Sequence, residues 1–178
     1  MDCEYDSGMV LKPQDLLIVL KLWVGRGRVW NYQVLAHELG MSAAEAHNGV
    51  KRARKAGLLP GGELSGVPNP VALKEFLIHG AKYAFPAEIG QVTRGIPTAY
   101  AVAPLKDMMQ ASDDPSPVWP HKDGTERGIA VEPLYKSAPE AALWDPALYE
   151  LLALLDALRM GRARERQLAA KLIEERLK

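Results

Sequence analysis

Cysteine is almost missing from this chain: Cys3 is the single thiol in 178 residues. One thiol excludes an intrachain disulfide framework and a cysteine-based metal site, and it fits a reducing compartment. Histidine is scarce too. None of His37, His47, His79 and His121 stands three or four residues from another histidine or from the cysteine, so metal-ligand spacing is absent. Net charge is also lacking, with 22 Lys and Arg set against 22 Asp and Glu. A nucleic-acid binder of this composition has to concentrate its cations locally. Long apolar runs are missing as well. A run such as Leu16–Leu20, which no other exceeds, is far too short to cross a membrane, and the acidic start with Asp2, Glu4 and Asp6 does not read as a signal peptide. A cytoplasmic protein with no membrane partner is expected. No glycine-rich segment ends in the Lys-Ser/Thr of a phosphate loop, and no G-x-S-x-G occurs. Asp113 and Asp114 are adjacent carboxylates, but in a Pro-Ser loop they are expected to face water. With no catalytic constellation, neither an enzyme nor a cofactor is expected.

What is present is a globular composition, 48% apolar and 25% charged, organised around the stretch 31–59, NYQVLAHELGMSAAEAHNGVKRARKAGLL. Asn31 is placed to cap a helix over Tyr32–Leu39. Gly40 stops it, because glycine accepts the left-handed conformation. Ser42 caps the next helix, with Glu45 three residues on as the other half of a capping box. Gly57 is a natural stop before Leu58 and Leu59. In this second helix Ala46, Val50, Ala53 and Gly57 recur at spacings of three and four, a narrow seam of small apolar groups. The opposite side carries Ala44, Asn48, Lys51, Arg52 and Lys55, with Arg54 and His47 on the flanks. Asparagine pairs bidentately with adenine, arginine or lysine with guanine, and basic groups neutralise phosphates.

The pattern A-x-x-L-G-M-S-x-x-E-x-x-x-x-V-K-R-A-x-x-x-G-L-L within this stretch resembles the helix-turn-helix of bacterial winged-helix regulators, broadly the MarR-like type. It covers about a sixth of the chain. The resemblance implies a mainly α fold with a winged helix-turn-helix core, and double-stranded DNA as the partner. The candidate DNA-contacting residues are Ser42, Ala44, His47, Asn48, Lys51, Arg52, Arg54 and Lys55.

Around this motif three regions are expected: a DNA-binding domain over 1–80, an irregular segment with short strands and a linker over 81–133, and C-terminal helices over 134–178. The first helix starts at Lys12-Pro13, where proline's missing N–H costs nothing, and Gly25-Arg26-Gly27-Arg28 ends it. Val29-Trp30 suits a brief strand, with Trp30 as a hydrophobic staple. The segment 60–66 is rich in turn residues and offers no good pair of wing strands. Asn69-Pro70 starts a helix that Gly80 should stop. Within 82–105, Pro86, Pro97 and Pro104 forbid a long helix. Thr93-Arg94-Gly95 reads either as the tip of a displaced wing, with Arg94 reaching DNA, or as part of an ordered loop packing its aromatics on the core. The loop is the preferred reading. Residues 106–133 read as a polar surface loop with Trp119 as its one large anchor.

Asp145-Pro146 marks another helix start, followed by a stripe of Leu148, Leu151, Leu152, Leu155 and Leu158. The arginines 159, 162, 164 and 166 are expected on a solvated, charged helix surface. The leucine stripe needs a surface, either its own domain or a second protomer. A homodimer reading two half-sites is expected. Together these features predict a sequence-specific regulator, a repressor that acts as a homodimer. The alternative is an antitoxin-like or adaptor protein that holds a neighbouring-gene partner through its C-terminal helices.

Overall fold

The computed structural model describes residues 10–64, 66–109 and 114–178. Cys3 and Asp113 lie outside the described residues. The protein is mainly helical with one small three-stranded sheet, and it divides into two compact units, Met1–Asn69 and Pro70–Lys178. The unit boundary therefore falls before the helix at Pro70 and not at residue 80.

The first unit is built from α1 (Pro13–Val24), α2 (Tyr32–Leu39) and α3 (Ala43–Lys55), with α1 and α2 both packed on α3. Local chemistry sets every boundary. Pro13 opens α1, and Asp15 Oδ2 accepts from the Lys12 backbone N–H at 2.8 Å. Asn31 caps α2 by accepting from Val34 N–H at 2.9 Å. Gly40 ends α2 in the left-handed region at φ 62°. Ser42 Oγ accepts from Glu45 N–H, and Glu45 Oε2 accepts from Ser42 N–H, closing the expected capping box. Leu16 to Leu20, Leu35, Leu39, Ala46, Val50 and Ala53 form the core. Val29-Trp30 is not a strand: Val29 is exposed, while Trp30 is buried and donates from Nε1 to Gly25 C=O at 3.2 Å.

The second unit opens with α4 (Pro70–Glu75), a π-type turn (Phe76–Gly80) and α5 (Ala81–Ala84) in unbroken succession. Gly80 does not stop the helix. Its φ of −106° is right-handed, and its missing Cβ makes room for the Phe76 ring. The segments expected as loop and linker hold the sheet. β1 (Ile89–Pro97) is antiparallel to both β2 (Pro117–Pro120) and β3 (Glu126–Val131), and β2 runs parallel to β3, so the three strands close on themselves. The register slips between Ile89 and Val92, a bulge on β1.

Such tight closure leaves no room for side chains at the crossing points. A Cβ on Gly95 would strike the Trp119 carbonyl, one on Gly124 the Gly95 backbone, and one on Gly128 the Ser116 carbonyl. The 121–125 connection is shorter than an ordinary parallel crossover, and these glycines let it fold directly across β1.

Between the sheet and α8 the chain adds α7 (Ala138–Trp144), after a short α6 (Leu105–Met108) ahead of β2. Asp145 caps α8 (Pro146–Met160) as expected, accepting from Leu148 N–H at 3.1 Å, and α9 (Ala163–Arg176) packs on it. Residues 151–158 of α8 are all buried, Asp156 included, which marks a central helix. Leu148, Leu151, Leu152, Leu155 and Leu158 are thus core residues of one chain, not the surface of a dimer. The partner they needed is the rest of their own unit, including a sheet whose strands local patterning does not reveal.

One polar knot holds α8 to the sheet. Asp156 Oδ2 accepts from Trp119 Nε1 at 2.6 Å and from Thr98 Oγ1 at 2.8 Å. Asp156 Oδ1 accepts from Arg159 Nη1 at 2.7 Å, and Arg159 also donates from Nε to Phe85 C=O at 2.7 Å. Burial pushes the Asp156 carboxyl above its ordinary value, while Arg159, Thr98 and Trp119 pull it back. Beside the knot, Tyr149 donates to Pro97 C=O at 2.6 Å, and burial raises its hydroxyl to about 12.

Candidate nucleic-acid interface

On α3 the residues sort themselves by exposure. Ala46, Gly49, Val50 and Ala53 are buried, whereas Ala44, His47, Asn48, Lys51 and Lys55 are exposed. The exposed set follows spacings of three and four along the helix, so it forms one continuous face. His47 is steadied at the edge of that face by Tyr32 of α2, with ring centroids 5.1 Å apart in a T-shaped contact. Ser42 is exposed at the start of the helix, its side chain engaged in the capping box.

Arg52 does not belong to this face. Its side chain turns inward and grips fully buried Asp15 of α1 with two bonds, Nε to Oδ2 and Nη2 to Oδ1, both 2.7 Å. The fork-to-carboxylate geometry is the strong bidentate form, and the bond to Asp15 raises the Arg52 pKa further. The inward turn follows from helical phase: Arg52 sits on the flank between the two faces, and a buried carboxylate on the neighbouring helix captures it. Gly49 makes this approach possible. A Cβ there would strike the Ile18 Cδ1 methyl and lie 2.9 Å from Asp15 Oδ1. Asp15, Gly49 and Arg52 therefore fix how α3 is seated on α1. One signal for this pair does stand in the sequence, an aspartate on an otherwise apolar first helix.

Arg54 is likewise engaged with its own unit. It donates from Nε to Pro60 C=O at 3.1 Å and from Nη2 to Gly62 and Glu63 C=O at 2.6 and 3.1 Å, tying down the turn after the motif. A second brace lies across α1 and α2. Glu38 accepts from Lys21 Nζ at 2.8 Å and from both Arg28 terminal nitrogens at 2.8 and 3.2 Å. The Arg28 guanidinium, joined by Lys21, holds the Glu38 carboxyl down to about 2. Arg28 also stacks over the Trp30 ring, 4.1 Å from its centroid.

Arg94 belongs to the second unit. It lies in the middle of β1, exposed, with Arg127 of β3 as its direct cross-strand partner, and not at a turn tip. Among the described residues no group of three or more His, Cys, Asp or Glu is arranged to hold a metal, and no helix is long and apolar enough to cross a membrane. Comparison of the chain with protein-family models, with curated proteins and with solved structures finds no match.

Proposed function

We propose that this protein is a sequence-specific DNA-binding regulator whose first unit is a helix-turn-helix of the winged-helix kind, with α3 as the recognition helix. The observation that carries the reading is the exposed face of α3, with Asn48, Lys51 and Lys55 at its centre and Ala44 and His47 beside them. Small Ala44 near the helix start permits close approach to base edges. Asn48 offers the two-pronged group that suits adenine, and Lys51 and Lys55 suit guanine or phosphate. The Asp15–Arg52 pair supports this role by fixing the helix that presents them. Positional precision of this kind is what base readout requires, since phosphate binding alone carries no sequence information.

Fluorescence anisotropy of the full chain on labelled duplexes, across a salt series, tests the proposal. Lys51→Ala and Lys55→Ala should weaken binding, and for each phosphate that is no longer neutralised the salt slope should flatten by about 0.9. Binding indistinguishable from wild type for both variants on every duplex would refute it.

A second reading, an adaptor holding a protein partner through its C-terminal half, draws on Trp144 and Leu143 at the end of α7, which are 84% and 50% exposed. A tryptophan this open is uncommon on a solvated surface. Loss of a copurifying partner in Trp144→Ala, with DNA affinity unchanged, would favour that reading.

A further inference from the structure

Arg94 and Arg127 face each other directly across the β1–β3 ladder. Directly opposed residues hold their Cβ atoms about 4.5–5.5 Å apart, and like charges in that position destabilise a sheet. Both side chains are exposed, and among the described residues neither has a hydrogen-bond or ion-pair partner. The acidic residue nearest in the ladder, Glu126, lies opposite Gly95. Two residues along β1 from Arg94, Val92 and Ile129 form another aligned pair, Val92 exposed and Ile129 half-buried. The closed sheet and the knot beneath it make this a rigid platform, since β1 is tied through Thr98 and β2 through Trp119 to Asp156. Two arginines set opposite each other, with no carboxylate partner among the described residues, make a site suited to an anion.

We propose that Arg94 and Arg127 form a phosphate clamp for the phosphodiester backbone of nucleic acid, a second binding element carried by the second unit. The proposal rests on the DNA-binding reading of α3 but adds to it a contact that carries no sequence information. Guanidinium forks match phosphate oxygens bidentately, and one phosphate between the two arginines converts their repulsion into shared attraction. The clamp positions the duplex or holds it during search, while the α3 face supplies the sequence reading.

The test uses the full chain with Arg94→Gln, Arg127→Gln and the double variant, on several duplexes of unrelated sequence. Each single variant should lose affinity about five- to tenfold at about 0.1 M salt, equally on every duplex, and the double variant's salt slope should flatten by about 0.9, the loss of one phosphate contact. Arg94→Lys and Arg127→Lys should keep the salt slope, because lysine keeps the charge, but bind more weakly than wild type, because lysine lacks the bidentate fork. Free of DNA at low ionic strength, either Gln variant should melt no lower than wild type, since one partner of a repelling pair is gone. Unchanged affinity and slope in the double variant would overturn the clamp, and sensitivity to Lys51→Ala in the same assay would leave the α3 reading standing. Loss confined to one duplex sequence would overturn the phosphate assignment. No binding of any duplex by the wild type would overturn both.

Discussion

Replacing Arg52 with alanine should strongly destabilise the first unit without touching the exposed side chains of α3. The substitution leaves Asp15 fully buried, with both carboxylate oxygens deprived of a guanidinium partner and, among the described residues, only the Lys12 N–H remaining. Breaking a buried pair by removing one partner costs about 3–5 kcal/mol. That is a large part of the about 5–15 kcal/mol that stabilises a typical domain. Urea unfolding should be followed through Trp23 and Trp30, both in this unit. Arg52→Ala should shift the transition these tryptophans report strongly, whereas Asp15→Leu with Arg52→Leu should recover much of the loss, since a packed apolar pair of similar volume often replaces a buried ion pair at little cost. Gly49→Ala supplies an independent check. Alanine favours helix by about 1 kcal/mol, yet its methyl would crowd Ile18 and Asp15, so net destabilisation is expected. If Arg52→Ala unfolds like wild type, the buried pair is not holding α1 to α3. A loss of DNA affinity in that variant, with stability intact, would return Arg52 to the exposed face.

In the second unit, Gly128→Ala should destabilise severely, because the new methyl meets the Ser116 backbone carbonyl and backbone does not yield as a side chain does; an unchanged thermal transition would refute the strand closure. Glu38 gives a pH signature. Its pKa is lowered from 4.5 to about 2, so the stability it contributes is complete above 4.5 and is lost as pH falls through about 2. Acid unfolding of wild type should therefore be steeper in that window than that of Glu38→Gln, and identical profiles would remove the brace. Truncation before Asp145 should leave the second unit unfolded by circular dichroism, not a well-folded monomer, because it deletes the buried leucines of α8 and the Asp156 knot.

The parts of this fold legible in the sequence are those fixed by neighbours a few residues away. Asn31, Gly40, the Ser42–Glu45 box and Asp145 act on backbone groups within one turn, and each does what its local pattern implies. The sheet is hidden for the converse reason. β1 contains Gly90, Gly95 and Pro97, and β2 begins and ends with proline, so neither has an alternating strand pattern. Gly95, Gly124 and Gly128 serve a closure visible only once distant strands meet. The inward turn of Arg52 is illegible locally because its partner lies 37 residues away. The α8 stripe is legible as apolar, but its partner is not, since the unit that covers it includes that hidden sheet. Arg127 carries no signal at all: only the register of β1 against β3 sets it beside Arg94.

The central claim is that the exposed face of α3 reads bases. Selection of a random duplex library by wild type and by Asn48→Ala, followed by sequencing, tests it most directly. Wild type should enrich a defined site, and Asn48→Ala should relax preference at one adenine position by about 1–3 kcal/mol while leaving the other positions unchanged. Enrichment of no sequence by wild type, or of the same site with undiminished preference by the variant, would contradict the account.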